Sequence, residues 1–234
     1  PRIRHELVNA AKAGSLIPFI GAGASVLAGS PNWHDFANAA LMFFVKKGKL
    51  NLSQLEQLKT LSPRVKLSIA KSYQHKHEIP IPFEEILLPA NKAREKTGQR
   101  LYGHLSKLSK TFVTTNYDRW LDKEIDISEL STDEAAESAQ STTPKDRRVI
   151  HKAQDFMHNN LVPDSVIHLH GHLDDPTKMI LTTEDYLNHY MNDRRGKEEN
   201  HVLTFLQNLF DLKNVLFIGY GLEELEILEY ILQK

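Results

Sequence analysis

The chain contains no cysteine. That absence excludes disulfides, thiolate nucleophiles and every cysteine-ligated zinc centre. No apolar run approaches the roughly 18 residues of a membrane-spanning helix, and no charged-then-apolar leader opens the chain. A cytoplasmic location with no membrane contact is the expectation. Net charge is almost absent as well. The 29 Lys and Arg nearly balance 30 Asp and Glu, for a formal charge of −1, so no global field favours nucleic acid or anionic lipid. The chain shows no internal repeat and no low-complexity tract.

What is present is enough for a sizeable core. A length of 234 residues suits one large α/β domain with an elaboration, or two small domains. The first residue is Pro1 rather than Met, and the chain stops inside an apparent helix, Leu222–Gln233. Both features lead to the expectation of a piece of a longer polypeptide.

Four short strings carry most of the functional information: Gly21-Ala22-Gly23-Ala24-Ser25, Thr114-Thr115-Asn116-Tyr117-Asp118, His168-Leu169-His170-Gly171 and Gly219-Tyr220-Gly221. Each follows a run of β-forming residues: Leu16–Ile20, Thr111–Val113, Val166–Ile167 and Val215–Ile218. Each therefore reads as the carboxyl end of a strand, the edge where open α/β sheets collect ligands. Pro18 is the one discordant residue, because proline has no ladder donor.

Between Asn32 and Lys110 the pattern is helical. Helices are expected over Trp33–Val45, Leu50–Leu61 (leucines at 52, 55 and 58), Arg64–Tyr73, Phe83–Leu88 and Gly98–Leu108. The stretch is too long for one crossover and reads as a helical insertion at about 32–110. Residues 2–13 form an amphipathic helix with Ile3, Leu7, Val8 and Ala11 on one face, ended by Gly14-Ser15. Residues 128–148 have the composition of an exposed loop. A helix is expected over Val149–His158, another from Thr182 with a threonine cap, and an amphipathic one over His201–Leu212. The fold class is α/β, a Rossmann-like and mostly parallel sheet with helices on both faces and the insertion.

Each string has a plain reading beside a functional one. The first is either a tight turn or a loop whose backbone N–H groups approach a pyrophosphate at a helix start. The dinucleotide fingerprint wants Gly or Ala where Val26 stands, and an acid about 20 residues on, where the apolar Leu41–Val45 lies. The Walker Gly-Lys-Ser/Thr ending is absent. Asn116 and Asp118 either end a strand in an Asx-turn or orient a water and a ribose. His168 and His170 alternate. They form either a metal pair with Asp174 or Asp175, or a hydrogen-bonded core residue (His168) and a cleft residue (His170), the version preferred. Gly171 would end the strand and turn His172 away. Glu223, Glu224 and Glu226 read as solvated acids in a first helical turn.

In this order, the strings resemble the sirtuin superfamily. Its Gly-Ala-Gly-Ile-Ser stands here as Gly21–Ser25, and its Gly-Ile-Pro-Asp-Phe-Arg as Gly29-Ser30-Pro31-Asn32-Trp33-His34. Its Thr-Gln-Asn-Ile-Asp is Thr114–Asp118, and its His-Gly is His170-Gly171. Conventional deacylases of the family carry a four-cysteine zinc module, so no zinc is expected here. Their Asp and Arg are Asn32 and His34. Gly-x-Pro-x-Trp with Thr-Thr-Asn-Tyr-Asp is similar to the sirtuin-like domains of bacterial anti-phage defence proteins. That resemblance implies an NAD-binding domain over residues 1–234 that hydrolyses NAD, the effector of an abortive-infection system. It also implies a homo-oligomer, or assembly with a sensor or activator, with no direct nucleic-acid binding.

Within that resemblance, Gly21, Ala22, Gly23, Ala24 and Ser25 are assigned to the pyrophosphate, and Gly219, Tyr220 and Gly221 to the adenosine side. Trp33 is assigned to the nicotinamide wall, with Thr115 in the cofactor-binding set and Asp118 on ribose hydroxyls or the local loop. Asn116 and His170 are the expected catalytic pair, with no metal site. Rival expectations are an ADP-ribosyltransferase or deacylase using the same cleft, and a non-catalytic sensor of NAD or ADP-ribose.

Overall fold

Five short strands lie parallel in the order β3-β4-β2-β1-β5. They are β1 (Leu16–Ile20), β2 (Thr111–Thr114), β3 (Arg148–Ile150), β4 (Ser165–His168) and β5 (Asn214–Ile218). They are seen in a computed structural model that describes residues 2–88, 91–125, 145–191, 200–221 and 227. The architecture is the expected Rossmann-like α/β sheet. The expected helix Leu222–Gln233, its acids Glu223, Glu224 and Glu226, and most of the expected loop 128–148 lie outside the described residues.

Alternation along the strands sends side chains to opposite faces. Phe19, Val113 and Ile167, which stand in register, join a core completed by Phe205, Leu206 and Leu209 of α9 (His201–Leu212). Their chain neighbours Ile20, Phe112 and Val166 enter a second core. There they meet Ala24 and Ala28, at and just beyond α2 (Ala22–Leu27), and Tyr102 and Leu105 of α7 (Lys92–Ser106). All five residues of β1 are buried, as a central strand requires. Pro18 is accommodated because it pairs with Leu216 of β5, while the ladder to β2 begins only at Phe19.

The insertion between β1 and β2 contains α3 (Trp33–Lys46), α4 (Leu52–Gln57), α5 (Pro63–His77), α6 (Phe83–Leu87) and α7. It packs around Phe36, Leu41, Phe44 and Leu67, in a core that Tyr117, Leu173, Met179 and Leu181 from beyond β2 and β4 complete. Its helices begin where local chemistry dictates. Asn32, Asn51 and Asn91 cap α3, α4 and α7, and Pro63 opens α5. The expected stripe over 50–61 shrinks to Leu52–Gln57, and Leu52 stays exposed. The amino-terminal helix α1 (Arg2–Lys12) forms as expected, but Ile3 and Val8 face solvent and Ala10 is the buried residue.

The expected helix Val149–His158 is not formed. Arg148-Val149-Ile150 is an edge strand paired with Ser165–Ile167, followed by single 3₁₀ turns at Ala153–Asp155 and His158–Asn160. Two adjacent β-branched residues beside an open sheet edge gain more from the ladder than from a helix. Nor is the end of the expected loop exposed. Arg147 is buried and donates to the carbonyls of Leu121 (2.9 Å) and Lys123 (2.7 Å) and to Ser106 Oγ (3.0 Å). Thr182 caps α8 (Thr183–Tyr190) reciprocally with Asp185, as expected.

Candidate active site

The four strings converge. The loops after β1, β2, β4 and β5 border one cavity of about 570 Å³, within the usual range for a small-molecule site. Ala22, Gly23, Ser25, Trp33, Thr115, Asn116, Asp118, His170, Gly219, Tyr220 and Gly221 line it. Gly21 and Ala24, also in the expected set, stand behind the lining.

The glycines meet a steric demand made by the protein itself. A Cβ on Gly21 would lie 2.5 Å from Tyr220 Cα, and one on Gly23 would lie 2.8 Å from the Gly219 carbonyl oxygen. Gly219 is in the left-handed region, at φ +64°, against Ala24. The Gly21 and Gly23 N–H groups donate to the carbonyls of Ile218 (2.9 Å) and Gly219 (2.7 Å). These two donors thus hold the first loop to the last.

Asn116 is fixed by local and distant partners. Its backbone N–H donates to Thr114 Oγ1 at 3.0 Å, the Asx/ST-type turn of a strand end. Its side-chain Nδ2 donates to the Gly21 carbonyl (3.0 Å) and to Ser25 Oγ (2.8 Å). A peptide carbonyl can only accept, so the amide orientation is determined. Both N–H bonds are thereby committed, and the acceptor that remains on this cavity-lining side chain is Oδ1. Ser25 Oγ donates its single proton to Asp118 Oδ2 at 2.5 Å, so Tyr102, 3.1 Å away, donates to Ser25. Burial raises Asp118 above the ordinary carboxylate range, and the Ser25 hydrogen bond partly offsets that shift. Burial, then the Asp118 charge, push the Tyr102 phenol well above its ordinary value.

His170 follows β4 on a loop turned by Gly171, whose φ is +89° and whose added Cβ would strike the Lys178 carbonyl at 2.6 Å. The His170 ring lies between two tyrosines of α8. Nε2 is 2.7 Å from Tyr190 Oη, and Nδ1 is 3.4 Å from Tyr186 Oη. Neighbouring His189 is held neutral, its pKa lowered to about 3 by burial first and then by His170.

His168 takes the core role expected of it. It is fully buried, with Nδ1 2.8 Å from the Asn116 carbonyl and Nε2 3.1 Å from Asp122 Oδ1. The expected divergence of His172 does not occur. The Gly171 turn carries it back under the strand end, where Nε2 is 2.9 Å from Asp122 Oδ2. The pairing considered between His168 and His170 is therefore replaced by one between His168 and His172. Burial opposes charge on Asp122, but the contacts from the two imidazoles outweigh it and hold the carboxyl well below its usual range.

The insertion supplies residues that the strand-end strings do not reveal. Ser62, Pro63 and Arg64, at the start of α5, border the cavity. Arg64 is the only Lys or Arg lining it among the described residues, and its guanidinium lies 3.6 Å from the centre of the Tyr186 ring. A Ser-Pro helix start is legible in sequence, but nothing local says that it faces the sheet. Tyr117 and Phe36 flank Trp33, with ring centroids 6.2 and 5.7 Å away.

Comparison with known proteins agrees with this arrangement. The sequence model of one family, described as SIR2-like domain, matches residues 110–233, more than half of the chain. That span includes the loops after β2, β4 and β5. No curated protein matches the chain.

Proposed function

The chain belongs to the SIR2-like domain family, and from that membership we propose that it hydrolyses NAD at the bond between nicotinamide and ribose. The observation that carries this reading is the state of Asn116. Both amide hydrogens are tied to protein acceptors, which leaves the side-chain oxygen to accept, and Asn116 and His170 line the same cavity.

The reaction needs little more than positioning. The bond from ribose C1′ to the nicotinamide nitrogen breaks, its electron pair leaves with nicotinamide, and the sugar becomes cation-like, as in glycoside cleavage. Water forms the new C1′–O bond. The Asn116 oxygen accepts a hydrogen bond from that water and orients it. The proton released passes to His170 Nδ1 by way of the hydroxyl of Tyr186, a residue that also lines the cavity. NAD and water thus give nicotinamide, ADP-ribose and one proton. Ser25 and Asp118 hold the asparagine in place, Trp33 walls the nicotinamide, and Arg64 offers a positive charge to an anionic substrate. Gly219–Gly221 is assigned to the adenosine side. With no cysteine, the four-cysteine zinc module of the deacylases has no ligands here.

The test is nicotinamide release from NAD, followed by chromatography, for the wild type, Asn116→Ala and His170→Ala. Release by the wild type and its loss in both folded variants supports the reading. Wild-type turnover in both variants removes the site assignment. Labelled ADP-ribose appearing on protein rather than free would make the chain a transferase. Tight NAD binding without release would make it a sensor.

The proposed setting is that of an effector in bacterial anti-phage defence, in the cytoplasm, acting as a homo-oligomer or with a sensor partner. Cellular NAD measured during phage infection, with and without Asn116→Ala, tests that setting.

A further inference from the structure

A buried polar cluster beneath the cavity has no part in the reaction above. It joins β4 to the loop after β2. Asp122 bridges His168 and His172, and His168 reaches the backbone carbonyl of Asn116. Both histidines are at most 1% exposed. Asp122, His168 and His172 do not line the cavity.

Their ligand-capable atoms lie within 4.8 Å of one another, a spacing a metal ion could use. Proton placement points elsewhere. The Asp174 backbone N–H donates to His172 Nδ1 at 3.1 Å, so Nδ1 carries a lone pair and the proton of the neutral ring sits on Nε2. That proton faces Asp122. A neutral imidazole bound to metal through Nε2 would need its proton on Nδ1, where it would oppose the Asp174 N–H.

At His168 both nitrogens face acceptors. Nδ1 faces a carbonyl, which can only accept, so Nδ1 donates to Asn116. Nε2 faces the Asp122 carboxylate, so it donates there, and His172 holds that carboxylate from the other side. Asn116 is therefore gripped twice: by Gly21 and Ser25 through its side chain, and by His168 through its backbone.

We propose that His168, oriented by the Asp122–His172 pair, is a positioning residue that sets the Asn116 amide oxygen at the reacting carbon. This rests on the NAD-hydrolase reading for its catalytic consequence, not for its structural one. A misplacement of about 1 Å in a positioned group can cost roughly 10²-fold in rate.

Two replacements of similar size separate the ring's nitrogens. Asparagine at 168 puts an amide nitrogen near the position of Nδ1. Glutamine reaches instead toward Nε2. In the whole chain, His168→Gln should lower kcat for nicotinamide release by about tenfold or more while KM for NAD changes less than about twofold, and His168→Asn should recover kcat to within about threefold of wild type. The second readout needs no turnover. The Asn116 side-chain amide cross-peak, identified by its loss in Asn116→Asp, should shift in His168→Gln and stay in place in His168→Asn.

Should His168→Gln melt below the assay temperature, Asp122→Asn carries the test, with a smaller fall in kcat at unchanged KM. An unmoved cross-peak, an unchanged kcat in Asp122→Asn, or a stoichiometric metal ion lost on His172→Gln would overturn the proposal. If the wild type releases no nicotinamide, the enzymatic reading fails, and the cross-peak still decides the positioning.

Discussion

The insertion and the carboxyl edge of the sheet are both well buried, but by opposite means. The insertion is closed by hydrocarbon: Phe36, Leu41, Phe44 and Leu67 are all at most 1% exposed. Its buried charge, Lys66, is satisfied by Asn38 Oδ1 (2.9 Å) and the Lys59 carbonyl (2.8 Å). At the sheet edge the buried groups are Ser25, Thr114, Asn116, His168, His170 and His172, and their order comes from directed hydrogen bonds. In the first region the cost of a change follows the volume removed. In the second it follows which atom is removed, even at constant volume. The insertion presents Arg64 and Tyr117's partner Phe36 to a site whose reactive groups belong to the edge.

The largest expected effect breaks the insertion alone. Phe44→Ala should cost about 3–5 kcal/mol of stability, read by denaturant unfolding, while the folded fraction keeps most of its rate per molecule. A complete loss of rate in folded Phe44→Ala would erase the contrast. Asn116→Asp changes one functional group and almost no volume. It should lower nicotinamide release by roughly 10²–10³-fold, with a much smaller change in melting temperature.

Ser25→Ala removes the hydroxyl shared by Asn116, Asp118 and Tyr102. It should cost about 1–3 kcal/mol by orphaning buried groups and should also slow turnover, which unfolding and rate measurements on one preparation would check. The smallest effect is a slope. His189 titrates near 6.5 when unfolded and at about 3 when folded, so the unfolded chain binds the extra proton between those values. Stability contributed by the neutral ring is complete above pH 6.5 and is lost progressively as pH falls toward 3. His189→Gln should flatten that arm of the stability profile, and an unchanged arm would refute the assignment.

Much of this was legible in the sequence because it is local. A strand end followed by small or polar residues is a pattern of a few positions, and the strings after β1, β2, β4 and β5 all reach the cavity edge or stand directly behind it. The capping residue Thr182 marked α8 for the same reason. What could not be read depends on distance along the chain. Asp122 lies 46 positions from His168, and no spacing rule joins them. The place of His172 depends on the turn at Gly171, which brings it back to Asp122. β3 has a local pattern compatible with helix, and its strand character comes from the neighbouring β4. Arg64 faces the site only because α5 packs on α3 above the sheet.

The junction between Gly23 and Gly219 has a consequence for synthesis. β1 is an interior strand of the finished sheet, yet its partner β5 follows it only 198 positions later, as the pairing of Leu16 with Asn214 shows. Until β5 has left the ribosome the nascent protein has an unpaired edge on β1 and no wall from residues 219–221. The cavity therefore cannot assemble, and any catalysis there cannot begin, before β5 has emerged and docked.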